Sequence, residues 1–237
     1  AFIIGLMEFH RAFQIQSRFI YGIELAGAFL QLLVIRFDLH LFLFAPLIVV
    51  VFTLLGYYMV NYPKYSMDKI FVSVFAFVYL VLFTSHIVLI RESLPKGNYF
   101  IWLILLIAFG SDTFAYFSGV TLGKHKLAPK LSPKKTIEGS IGAIIGTSFI
   151  TLAFGFFMFN NGIEKNAMNI LFFVLMGFFG SIVSQLGDMA ASAMKRVVGI
   201  KDFGKLLPGH GGIIDRLDSI IFVSPFVYYM TLLILEV

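Results

Sequence analysis

The sequence predicts an all-α fold: a polytopic transmembrane helical bundle of about eight membrane segments, the first one partial, with two basic cytoplasmic loops. Three observations predict it. Hydrophobic residues fill 59% of the 237 positions and charged residues only 13%, and the mean hydropathy is +0.92, a balance outside that of water-soluble domains. Apolar runs near the roughly 20 residues that a helix needs to span hydrocarbon recur between charged or Pro/Gly breaks. Finally, threading these runs alternately through a bilayer gathers most of the cations on one side.

The runs follow in order. Residues 1–13 are too short to cross, and because the chain opens on Ala1 rather than Met, further residues are expected upstream. No secretory leader is legible, since a charged start and a small-residue cleavage site are both missing. Six runs follow at 19–35, 39–60, 70–90, 99–122, 140–160 and 168–187, and the last is 219–235. The amino-terminal helices, 1–98, and the remainder, 99–237, are expected to form one integrated unit. Twenty-nine Phe and ten Tyr suit lipid contact and helix packing better than a cofactor box. The chain has no Cys, so disulfides and thiolate metal sites are excluded.

The connections 10–18, 61–69, 123–139 and 188–218 hold 14 of the 18 Lys and Arg, leaving Arg36, Arg91, Lys96 and Lys165 for the other face. The positive-inside rule makes the first face cytoplasmic. Topology alone needs about four to six such cations. The loops 123–139 and 188–218 carry ten and need another reason.

In the first of these loops, Ser132-Pro133-Lys134-Lys135-Thr136-Ile137-Glu138-Gly139 follows Gly123-Lys124-His125-Lys126. Pro133 stops a helix from running through Ser132, Thr136 can cap the next one, and Glu138 favours its first turn. Hydroxyls and two lysines at a positive helix end suit phosphate oxygens, or the headgroups of anionic lipids. In the second loop, Lys195 and Arg196 lie seven and eight residues beyond Asp188, one face of a helix that continues. Lys201, Asp202 and Lys205 come next, then Pro208-Gly209-His210-Gly211-Gly212, and Asp215, Arg216 and Asp218 on the first turn of a new helix. Carboxylates there could serve as dipole partners. Next to a glycine-rich turn and among cations, they read better as Mg²⁺ ligands with phosphate clamps. Asp112, deep in its run, should face protein or a watery cavity, since a charge at that depth costs at least about 2.5–3.5 kcal/mol. Glu8, Glu24 and His86 read as structural, because nothing around them in sequence converges.

The stretch from Ser192 to Asp218 resembles the signature of the phosphatidate cytidylyltransferase family, also called CDP-diacylglycerol synthases. Asp112-Thr-Phe-Ala-Tyr116 and the Ser132 to Gly139 segment are similar to further family features, so the likeness covers roughly 105–230. It implies a dimeric enzyme of the bacterial inner membrane, with its active site facing the cytoplasm, converting CTP and phosphatidic acid to CDP-diacylglycerol and pyrophosphate. Asp188 and Asp215 would hold Mg²⁺, a second cation being possible, with Asp218 in support. Lys195, Arg196, Lys201, Lys205 and Arg216 would hold phosphates or the departing pyrophosphate, as would Lys134 and Lys135. Asp112, Ser132, Thr136, Glu138, Gly211 and Gly212 would complete substrate binding. His210 suits a hydrogen-bonding role better than proton transfer. Asp215→Asn is expected to abolish turnover in a protein that still folds. Nucleic acid is not an expected partner. Two other readings stand beside this one: an ion-coupled transporter, which intramembrane carboxylates would suit, and a CTP-dependent lipid kinase or related cytidylyltransferase.

Overall fold

The computed structural model describes residues 2–206 and 211–235. Helix α1 (Phe2–Ala12) is followed by α2 (Arg18–Arg36), which starts at Ser17, whose hydroxyl accepts the Ile20 N–H. A short 3-10 turn (His40–Phe42) leads into α3 (Ala45–Val60). Helix α4 (Met67–Ala76) passes through a π-helical stretch (Phe77–Leu82) into α5 (Phe83–Ser93). Then come α6 (Gly97–Leu122), strands β1 (Lys126–Ala128) and β2 (Ser132–Thr136), α7 (Ile137–Asn160), α8 (Ala167–Val197) and α9 (Ile214–Leu235). Among the described residues, seven helical stretches are long and apolar enough to cross a membrane, and α1 is the short eighth element.

Among the described residues the all-α expectation holds apart from one antiparallel hairpin, in which Lys126 pairs with Thr136 and Ala128 with Ser132. Pro133 tolerates the strand because a two-stranded ribbon leaves edge positions that need no N–H donor. The sixth apolar run ends at Gly187, and the helix continues to Val197, which keeps Lys195 and Arg196 on the same helix as Asp188.

Packing divides the chain into two compact units, Ala1–Ser93 with Lys195–Leu217, and Leu94–Met194 with Asp218–Val237. In the first, α1 lies against α2 and α4, and α2 against α3 and α5, around buried Leu6, Phe9, Ile20, Leu54, Ile70 and Phe77. Glu24 is fully buried and takes His10 Nε2 at 2.6 Å.

In the second unit α6 and α7 pack along much of their length. Lipid is as apolar as these side chains, so association in a bilayer rests on close packing and polar contacts rather than on expulsion of water. Small residues permit the approach: a Cβ at Gly139 would lie 2.8 Å from the Ala115 carbonyl, and one at Gly146 2.2 Å from the Phe114 ring. A polar ladder also crosses these helices, with Ser111 Oγ 3.0 Å from Ser181 Oγ, Gln185 Nε2 3.3 Å from Ser181 Oγ, and the Ser140 hydroxyl 2.5 Å from Gln185 Oε1. Such bonds average about 0.6 kcal/mol each in membranes, so they align the helices more than they hold them. The ladder leads to the cavity described next.

Candidate functional site

Helix α6, the hairpin, α7 and α8 enclose a cavity of about 370 Å³ in the second unit. Asp112 and Tyr116 line it from α6, Lys134, Lys135 and Thr136 from β2, Ser140 from α7, and Gln185 and Asp188 from α8. Lys135 Nζ is 2.5 Å from Asp188 Oδ2, and the two side chains are 23% and 28% exposed. Asp112 lines the same cavity as this pair.

Local chemistry builds this wall. The Thr136 hydroxyl accepts the Gly139 N–H at 3.1 Å and starts α7. Glu138, in the first turn, takes the backbone N–H groups of Lys124 and His125 and lies 2.7 Å from His125 Nδ1, fastening the hairpin to the helix. Glu138 thus holds the loop and does not line the cavity, and Ser132 lies at the strand start, half-buried and away from it. Lys134 is exposed along the cavity, where the positive end of α7 adds to its charge.

The first unit holds the other polar cluster. Lys195 Nζ lies 2.9 Å from Asp215 Oδ1, with only 15% and 5% of these side chains exposed, and it also faces the Phe203 ring. Asp215 Oδ2 accepts the N–H of Phe203 at 2.8 Å and of Gly212 at 3.0 Å. Gly211 has φ +81°, a conformation that L side chains rarely adopt, and sits against this carboxylate. Arg196, Lys201, Lys205 and Arg216 are exposed. Asp218, counted with the second unit, is half-buried and accepts the Ser219 N–H at 2.8 Å. His210 lies outside the described residues.

Three cavity residues, Tyr116, Ser140 and Gln185, and the acid Glu8 were not singled out as functional by sequence. Gln185 carried a weak signal, a neutral amide one turn before Asp188. Glu8, in α1, binds the backbone of Ile213 and Ile214. Its partners lie some 205 residues away, so no local pattern could reveal them.

Among the described residues, no group of three or more His, Cys, Asp or Glu could hold a metal ion. Mg²⁺ does not require one, because it keeps several waters and is commonly held by one or two carboxylates together with substrate phosphates. Asp188 offers hard oxygen donors to the cavity, and the ammonium of Lys135 against it marks a place where a cation fits.

Among the described residues, seven apolar helices, with a charged cavity lined from three of them and a basic hairpin, define an integral, multi-pass membrane protein. The chain belongs to the cytidylyltransferase family, whose sequence model matches residues 1–234. It is similar to the phosphatidate cytidylyltransferase of Bacillus subtilis strain 168, at 34% identity over 76% of this chain and 65% of that protein. A phosphatidate cytidylyltransferase of Haemophilus influenzae is 35% identical over 74% of this chain and 64% of its own length. One from Staphylococcus haemolyticus is 44% identical over 54% and 47%. The chain thus spans about half to two thirds of the relatives it matches.

Proposed function

We propose that the protein containing this chain transfers the cytidylyl group of CTP to phosphatidic acid, giving CDP-diacylglycerol and pyrophosphate. The observation that carries this reading is the cavity in which two lysines, the positive end of α7 and the carboxylate of Asp188 converge. Family membership and the names of the relatives support it.

The chemistry asks little of a base. Phosphatidic acid carries a phosphate monoester with a second pKa of about 6, so at neutral pH it is mostly a dianionic nucleophile already. One of its oxygens forms a bond to the α-phosphorus of CTP while the bond from that phosphorus to the bridging β-oxygen breaks, and the electron pair leaves on pyrophosphate. The obstacle is charge, since roughly four negative charges on CTP must approach about two on the lipid. Lys134 and Lys135 offset this repulsion from β2, and the α7 N-terminus adds its partial charge. Nucleotide phosphates would compete with Asp188 for Lys135, freeing the carboxylate to hold Mg²⁺. When bound, Mg²⁺ would neutralise phosphate charge and orient the leaving group. Tyr116 and Asp112 bound the same cavity and limit what can enter.

The accompanying expectations stay within this proposal: a homodimer, a cavity facing the cytoplasm, which the cation distribution supports, and Asp215, Asp218 and the cations from Lys195 to Arg216 serving metal and phosphates. The test is to supply the full-length protein with phosphatidic acid, Mg²⁺ and CTP labelled at either the α or the γ phosphate. Label from the α position in the lipid supports the reading. Label from γ alone makes the protein a kinase, and no label in lipid refutes nucleotidyl transfer.

A further inference from the structure

Helix α1 is apolar except near its end, yet Glu8 is only 7% exposed. A carboxylate so placed must find donors, or its burial would cost several kcal/mol. Glu8 Oε1 accepts the N–H of Ile213 at 3.1 Å, and Oε2 that of Ile214 at 3.2 Å. These groups open α9, where the first amides have no partner within the helix and where a negative charge meets the positive end of the dipole. Two glycines leave room for the carboxylate: a Cβ on Gly204 would stand 2.2 Å from Oε1, and one on Gly212 2.4 Å from Oε2. The next residue of α1, Phe9, stacks on Phe203 with ring centroids 6.1 Å apart. Phe203 and Gly212 are the residues whose amides bind Asp215.

We infer that Glu8 is a positioning residue for Asp215: through Ile213 and Ile214 it fixes the turn that presents this carboxylate, making α1 part of the site's support. The inference rests on the proposed function. A role confined to stability would lower the melting temperature and leave turnover intact in protein that is still folded. A positioning role lowers turnover in folded protein while nucleotide affinity changes little.

The experiment compares wild type, Glu8→Ala, Gly204→Ala and the double variant of the full-length protein, assayed for transfer of α-label well below every melting temperature. Each single change should lower kcat by about tenfold or more, because ångström-scale misplacement of a site group costs up to about 10²-fold. KM for CTP should move by less than about threefold. The double variant should be no slower than the slower single one, since removing the Glu8 carboxylate opens the space that a methyl on Gly204 would fill. Wild-type kcat in Glu8→Ala overturns the inference, and so do losses that multiply in the double variant. Should Glu8→Ala not fold, Glu8→Gln, which keeps the shape and loses one acceptor, replaces it with the same two outcomes. If wild type itself transfers no label, the functional reading fails, and the clamp is judged by hydrogen exchange alone. Faster exchange of the Ile213 and Ile214 amides in Glu8→Gln then supports it, and unchanged exchange overturns it.

Discussion

Lys135 Nζ meets Asp188 Oδ2 at 2.5 Å, so an ammonium of the hairpin rests on the carboxylate that α8 turns into the cavity. The pair is about one quarter exposed on each side. Because the pair opens onto a cavity that water can enter, its contribution is set near the roughly 0–1 kcal/mol of screened pairs.

Asp188→Asn should therefore leave the melting temperature within a few degrees of wild type, by analogy with about 1 kcal/mol at most, while turnover falls by about 10²-fold or more. Thermal melts in detergent and the α-label assay check both halves. A large drop in melting temperature with turnover retained would make the pair structural.

Asp215→Asn should behave differently, and differently from the expectation drawn from sequence. Its partner Lys195 is only 15% exposed, so neutralising Asp215 strands a mostly buried ammonium, at a cost of about 3–5 kcal/mol. The variant should melt well below wild type, and Lys195→Met added to it should recover most of the loss. Turnover should be lost in both. Equal melting temperatures for Asp215→Asn and wild type would show that the pair is more hydrated than its burial indicates.

Glu138→Ala removes the acceptor of the Lys124 and His125 amides and frees the hairpin from α7. Freeing the hairpin raises its open population, so trypsin should cleave after Lys130 severalfold faster. Unchanged cleavage would mean that the strand pairing alone holds the hairpin.

Lys134→Ala should raise KM for CTP by about fivefold, the worth of roughly 1 kcal/mol for one well-hydrated charge near a phosphate. The effect should shrink as salt is added. Steady-state kinetics at two ionic strengths measure it.

Some of this was legible in the sequence, and physical reasons separate what was from what was not. The spans follow from run length, and Thr136 and Pro133 announced where α7 begins because capping and the missing N–H are local effects. The π-helical stretch at Phe77–Leu82 left no trace, since it lies inside an uninterrupted apolar run with no Pro or Gly to mark it. The apolar run of α8 ends at Gly187, but the spacing of Asp188, Lys195 and Arg196 fits a helix that continues, and α8 runs to Val197. Asp112, Lys134, Lys135, Thr136 and Asp188 line one cavity, a grouping that spacing did not reveal because it set Asp188 with Lys195 and Arg196, and Gln185 carried no charge to flag it. Glu8 was read as isolated because its donors are backbone amides, which carry no residue identity.

The most direct test is whether the cavity takes up the nucleotide. This chain has no cysteine, so Ser140→Cys places one thiol in it on the cavity wall. In the full-length protein, modification of that thiol by a maleimide should slow saturably as CTP and Mg²⁺ are added, and much less with ATP at equal concentration. A rate that does not change with CTP would contradict the assignment of the cavity to the nucleotide.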